Sequence, residues 1–113
     1  MLESVIQNKI RCELSKYGVV IRMNTGNVRT ENGTFIRCGV KGMSDLLFIG
    51  QGYIAWIEVK TPAGKPSPEQ IKFINRMREL GHRAGIARSV EDALKIVGGE
   101  VEWEIKDILK QRI

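Results

Sequence analysis

The chain has 113 residues, 42% of them hydrophobic and 27% charged, which is ordinary globular composition and leaves room for a single domain over residues 1–113. Its formal net charge is +5, and no apolar run is long enough to span a bilayer, so a disordered, fibrous or membrane-spanning chain is excluded. The first stretch, MLESVIQNKIRCELSKYG, mixes acids and bases throughout and lacks the unbroken apolar segment of a signal peptide, so a cytoplasmic protein is expected.

Residues 2–17 read as a helix, with Leu2, Val5, Ile6, Ile10, Leu14 and Tyr17 at helical spacing and Gly18 as its stop. On that helix Glu3 and Glu13 both fall within the apolar sector, where an acid is costly unless something there needs it. Val19–Met23 is β-branched and reads as a first strand. Residues 24–42, rich in Asn, Gly, Thr and Arg, read as either a long functional loop or a loose hairpin. Leu46–Ile49 and Tyr53–Lys60 then form a hairpin around the Gly50-Gln51-Gly52 turn. Ser67-Pro68-Glu69-Gln70 carries the signals of a helix start: an N-cap, a proline in the first turn and a capping-box partner. Ile71, Phe73, Ile74, Met77 and Leu80 supply its apolar face, and Gly81 ends it. His82–Ala87 reads as a strand and Ser89 as the cap of a helix through Val97. Residues 101–112 fit either a helix or a strand followed by a helix. The order is α-β-loop-β-β-α-β-α, an α/β fold with a mixed central sheet flanked by helices.

Cys12 and Cys38 lie far apart, there is no C-x-x-C, and His82 is the single histidine, which argues against a Cys/His zinc site and for free thiols. Residues 61–90 hold Lys65, Lys72, Arg76, Arg78, Arg83 and Arg88 against only Glu69 and Glu79. Such an excess of base suits a polyanionic partner, or is simply a solvated basic surface.

The informative spacing is Asp45 followed by Glu58-Val59-Lys60. The hairpin brings Asp45, at the start of one strand, beside Glu58, near the end of its partner. Two adjacent carboxylates repel unless a divalent cation lies between them, and Mg²⁺ prefers oxygen ligands. Glu58 and Lys60 share a strand face, so the lysine can orient a water or steady charge developing on a phosphate. The competing reading of E-x-K is a cross-strand ion pair on a solvated face.

Gly42-Met43-Ser44-Asp45-Leu46, Ile57-Glu58-Val59-Lys60 and Gly64-Lys65-Pro66-Ser67-Pro68-Glu69-Gln70 resemble the PD-(D/E)xK nuclease superfamily, with its restriction-endonuclease-like core. More specifically, they look like the VRR-NUC (virus-type replication-repair nuclease) domain. Gly85–Ala93 resembles that domain's closing segment, and the likeness runs over about residues 3–97. Two departures stand out: Ser44 occupies the proline position, and Ala87-Arg88 replaces the Val-Arg-Arg run, so only Arg88 matches.

The resemblance implies an Mg²⁺-dependent endodeoxyribonuclease, with Mn²⁺ able to substitute. Asp45, Glu58 and the Val59 carbonyl would bind the metal, and Lys60 would act on the attacking water. Glu3 would complete the site from the first helix and Gln70 from the helix after the E-x-K strand. It further implies a homodimer that cuts branched DNA in the manner of Holliday-junction resolvases, with a DNA-repair role, in a bacterial host cell or encoded by a phage. The alternatives are a nucleic-acid-binding module without useful cleavage, a flap or nicking nuclease, and a nuclease that cuts a short duplex sequence.

Several residues carry two readings. Glu3 is a site member or an acid favoured by the helix dipole. Gln70 is a site member, a capping partner, or both. Lys41, Lys65 and Arg88, together with Arg29 and Arg37, grip phosphates or are surface charges. His82 reads as an exposed turn residue, and Trp56 and Trp103 as packing residues rather than base-stacking ones.

Overall fold

A computed structural model describes residues 2–23 and 40–99, and between them the backbone alone of two short strands. Helix α1 (Glu3–Leu14) buries Ile6, Ile10 and Leu14, a stripe with a residue every four positions that keeps to one side over three turns. The wider apolar set expected of this helix is not all used: Leu2, Val5 and Tyr17 are exposed. Glu3 is exposed as well, so it lies outside the buried sector into which the helical angle alone places it. Glu13 is half-buried and pairs with Lys16 at 3.0 Å. The stripe is narrow because the core takes in one line of positions, from Ile6 to Leu14 at the helix's last residue, and not the positions beside it.

Strands β1 (Val19–Arg22), β4 (Leu46–Ile49), β5 (Ile54–Val59) and β6 (Arg83–Ala87) form one sheet in the order β1-β4-β5-β6. The first three are antiparallel neighbours; β6 joins β5 in parallel through α2 (Pro68–Glu79), as a parallel neighbour requires a crossover. Between β1 and β4 the chain takes the hairpin option, with β2 (Asn27–Arg29) antiparallel to β3 (Phe35–Arg37) as a separate two-stranded ribbon. Helix α3 (Val90–Val97) follows β6. Residues 101–112, including Trp103, and Cys38 lie outside the described residues. Among the described residues, no helix is long and apolar enough to cross a membrane.

The core lies on one face of the sheet. Leu46, Phe48, Ala55, Ile57, Val59 and Ala87 meet Ile6, Ile10 and Leu14 of α1 and Ala93, Ile96 and Val97 of α3. The opposite face is covered by α2, where the Phe73 ring stands edge-on to Trp56 with centroids 5.0 Å apart. The start of α2 is fixed locally: the Ser67 hydroxyl accepts from the Gln70 N–H at 3.2 Å, and Gln70 Oε1 accepts from the Ser67 N–H at 2.8 Å. The turn before β4 packs directly on this helix start. Gly42 has a φ of +79°, and a Cβ there would collide with the Glu69 carbonyl, so both conformation and space require glycine.

Candidate active site

The β4–β5 register pairs Leu46 with Ile57, and one more step toward the open end sets Asp45 opposite Glu58. Asp45 is held from two directions. Its carbonyl accepts from the Met23 N–H at 2.8 Å, continuing the β1 ladder. Its carboxylate Oδ2 accepts from the Val59 N–H at 2.8 Å, across the hairpin. The side chain therefore cannot swing away from the end of β5.

Glu58 is 1% exposed. The strict alternation of β5 points Ala55, Ile57 and Val59 into the α1–α3 core and Trp56 and Glu58 to the α2 side. Burial is the main reason its carboxyl is pushed up to about 9. The hydrogen bond to the Asp45 carboxyl and the Asp45 charge push the same way, the Lys60 ammonium pulls against them, and Glu3 adds a smaller upward push. Asp45, Lys60 and Glu3 are thus the charged groups that act on Glu58, Glu3 from an exposed position on α1.

Among the described residues, three buried side-chain polar atoms lack a hydrogen-bond partner: Ser44 Oγ, Trp56 Nε1 and Glu58 Oε1. Ser44 immediately precedes Asp45, and Trp56 shares the face of Glu58 two residues earlier. Unpartnered buried polar groups are costly, and the one on Glu58 belongs to the carboxyl pair itself, which marks this end of the sheet as built for something other than stability. Neither Ser44 nor Trp56 stood out as a site residue in the sequence. The usable signal for Trp56 was its two-residue offset from Glu58; for Ser44, only its place before Asp45.

Two carboxyl groups on opposed strand positions, one with an unpartnered buried oxygen, suit a hard divalent cation with oxygen ligands. No three of His, Cys, Asp and Glu converge among the described residues.

The remaining expected residues are placed as follows. Lys60 directly follows β5, and its N–H donates to the Ala87 carbonyl at 3.0 Å. Gln70 is half-buried on the first turn of α2, with its Oε1 committed to the capping box. Lys41 is exposed and pairs with Glu69 at 3.5 Å, and Lys65 is exposed on the loop after β5. Arg88 is half-buried and acts as a brace: Nη1 donates to the carbonyls of Thr61 at 3.0 Å and Gly64 at 2.8 Å. Arg78 donates to the Ala84 carbonyl at 2.8 Å, and Arg83 to the Val97 carbonyl. Half of the cations counted between residues 61 and 90 thus hold the fold together, and the base-rich stretch is less a phosphate surface than its charge implies. His82 is exposed, as is the free thiol of Cys12. The side chains of Arg29 and Arg37 lie outside the described residues.

The family model for the VRR-NUC domain matches residues 2–91. The chain belongs to the VRR-NUC family. A solved structure titled "VRR_NUC domain" superposes with a TM-score of 0.61 at 24% identity, covering 85% of this chain and 94% of that one, which shows that the fold is shared. No curated protein matches the sequence. The VRR-NUC chain is therefore a nuclease-type domain, with its sequence motif where β4 begins and β5 ends.

Proposed function

We propose that this VRR-NUC domain is a metal-dependent endonuclease that hydrolyses phosphodiester bonds in branched DNA. The observation that carries the reading is the Glu58 carboxyl: fully buried, unpartnered at one oxygen, and set against Asp45. Asp45, Glu58 and the Val59 carbonyl would hold a divalent cation, Mg²⁺ or in its place Mn²⁺. When bound, that cation would activate a water and offset phosphate charge.

The chain's own residues do the rest. The Val59 N–H fixes the Asp45 carboxylate, so one ligand is oriented before any metal arrives. Lys60, close enough to Glu58 to oppose the rise of its pKa, presents an ammonium where it can steer the attacking oxygen or steady charge on the phosphate. Glu3, on the first turn of α1, and Gln70, on the first turn of α2, would complete the site.

Resolving a four-way junction takes two matched cuts on strands related by a two-fold axis, and one chain offers one such site. A symmetric homodimer would share that axis with the junction. The test uses end-labelled four-way junction, flap and linear duplex DNA, with Mg²⁺, with Mn²⁺ and with a chelator, while light scattering gives the mass with and without DNA. The expected result is chelator-sensitive, paired symmetric cuts in the junction by a dimer, with linear duplex cut much less. Binding without cleavage under any metal would replace this reading with a non-catalytic module. A monomer that nicks one strand would replace it with a flap or nicking nuclease.

A further inference from the structure

Lys60 stands where β5 gives way to a loop, and a loop holds a side chain less firmly than a strand does. The chain turns at once, with the Gly64 N–H donating to the Thr61 carbonyl at 3.0 Å. Two consecutive residues at the exit of β6 secure this boundary. The Ala87 carbonyl accepts from the Lys60 N–H at 3.0 Å, and Arg88 Nη1 donates to the carbonyls of Thr61 at 3.0 Å and Gly64 at 2.8 Å. The backbone is therefore gripped on both sides of the Lys60 α-carbon: at its own N–H, and at the carbonyl one residue on. Arg88 is fixed in turn. Its N–H donates to Asp92 Oδ2 at 2.9 Å, and the Asp92 N–H donates to Ser89 Oγ at 3.1 Å, so the start of α3 anchors the base of the arginine.

We infer that Arg88 is a positioning residue for DNA cleavage: by clasping the Thr61–Gly64 turn, it holds Lys60 in place at the end of β5. The inference rests on the nuclease reading and adds to it a residue that acts through Lys60 and not on the DNA. The chemistry of the side chain fits. One guanidinium nitrogen carries two N–H groups in a fixed plane and can serve two carbonyls at once, whereas a lysine offers a point charge on a flexible stem. The position fits as well. The clasped turn begins at the residue after Lys60, and the Lys60–Ala87 bond carries the β5–β6 ladder one step further, which keeps Lys60 on the strand face of Glu58. Turned to a phosphate, the same Nη1 would release both carbonyls, so a phosphate contact works against the closed turn. Small displacements matter here, since a shift of about 1 Å in a group that orients reactants can cost roughly a hundredfold in rate.

The experiment compares Arg88→Ala and Arg88→Lys with the wild type in three measurements, all below the melting transitions of the proteins. The first is amide hydrogen exchange across the Thr61–Gly64 turn without DNA. The second is DNA affinity without divalent cation. The third is the single-turnover cleavage rate at saturating protein, on whichever of the labelled junction, flap and duplex the wild type cuts. In Arg88→Ala the Gly64 amide is expected to exchange faster, affinity to stay within about twofold, and the cleavage rate to fall at least about tenfold. Arg88→Lys keeps the charge and some of the donors and is expected to recover part of the rate. If Arg88→Ala does not fold, Arg88→Lys carries the comparison, with a smaller loss of rate at unchanged affinity. Wild-type cleavage by the folded variants overturns the inference and leaves Arg88 a structural brace. Weakened DNA affinity with a wild-type rate at saturation overturns it in favour of a phosphate contact. Unchanged exchange at Gly64 overturns it as well, because Arg88 then does not hold the turn. Failure of the nuclease reading looks different: the wild type itself cuts none of the three substrates with Mg²⁺ or Mn²⁺, and the inference falls with it.

Discussion

Along β5, neighbouring residues meet opposite environments. Ala55, Ile57 and Val59 are fully buried among apolar side chains from α1 and α3. Trp56 and Glu58 turn to the side covered by α2, and the buried polar atoms of both lack partners. One strand therefore builds two unlike surfaces. The apolar face gains from every contact it makes. The polar face holds an acid whose pKa its burial raises, which a stability-driven fold would replace with an apolar side chain. The difference separates what the strand does for folding from what it does for chemistry, and substitutions on the two faces should separate the same way.

The largest expected effect is on the polar face. Asp45→Asn keeps an acceptor for the Val59 N–H but removes the charge, and Glu58→Gln removes the charge of its partner. Each should lower DNA cleavage by more than about a hundredfold, the scale of losing one organised electrostatic element. Neither should lower the melting temperature of the metal-free protein. Cleavage by either variant at the wild-type rate, measured on the same labelled junction, would break the comparison, because the polar face would then have no chemical role.

The apolar face should respond in the opposite sense. Ile57→Ala opens a cavity between the sheet and the α1–α3 layer and should cost about 2–5 kcal/mol in chemical denaturation. The fraction that remains folded should still cleave. Loss of cleavage in a well-folded Ile57→Ala protein would show that the two faces are not independent.

How far this division was legible in the sequence depended on the range of the interaction. The Asp45–Glu58 juxtaposition was readable because a short hairpin fixes its own register. The start of α2 was readable because the Ser67–Gln70 box closes over three residues. The apolar width of α1 was over-read: Leu2, Val5 and Tyr17 have helical spacing, but nothing in their periodicity says how much of the helix the sheet reaches. The cations of β6 and its flanks were also misleading. A charge count cannot distinguish an arginine facing phosphate from one facing a main-chain carbonyl, as Arg78, Arg83 and Arg88 do. That the polar atoms of Ser44 and Trp56 are buried without partners is not legible in the sequence, since it depends on tertiary packing such as that of Phe73 on Trp56.

A third expectation sharpens the contrast through pH. The Glu58 carboxyl is raised from 4.5 to about 9, first by burial and then by Asp45, with Lys60 opposing and Glu3 adding slightly. The folded state thus holds a proton that the unfolded chain releases. The stabilising contribution is complete below pH about 4.5 and is lost as pH rises toward about 9. The metal-free protein should become less stable over that window, and Glu58→Gln should flatten this part of the profile in thermal melts. A divalent cation favours the ionised pair and should restore stability most at the alkaline end. A wild-type profile that rises through the window and is unchanged in Glu58→Gln would show that Glu58 ionises freely.

The smallest expected effect concerns α2, the cover of the polar face, and the double reading of Gln70. Ser67→Ala removes the hydroxyl that receives the Gln70 N–H and should cost about 1 kcal/mol, a drop of roughly 4–8 °C in melting temperature. Gln70→Ala removes the other half of the box and should cost a similar amount. If capping is all that Gln70 does, both variants should cleave at nearly the wild-type rate below their melting transitions, since each loosens the same helix end by the same amount. If the Gln70 amide also faces the carboxyl pair, Gln70→Ala should cleave at least about tenfold more slowly than Ser67→Ala at matched stability. The comparison is clean because Gly42 sits against the Glu69 carbonyl and the Gln70 N–H, so any disturbance passed on to Asp45 through that turn is common to both variants. What remains between their rates belongs to the Gln70 side chain alone.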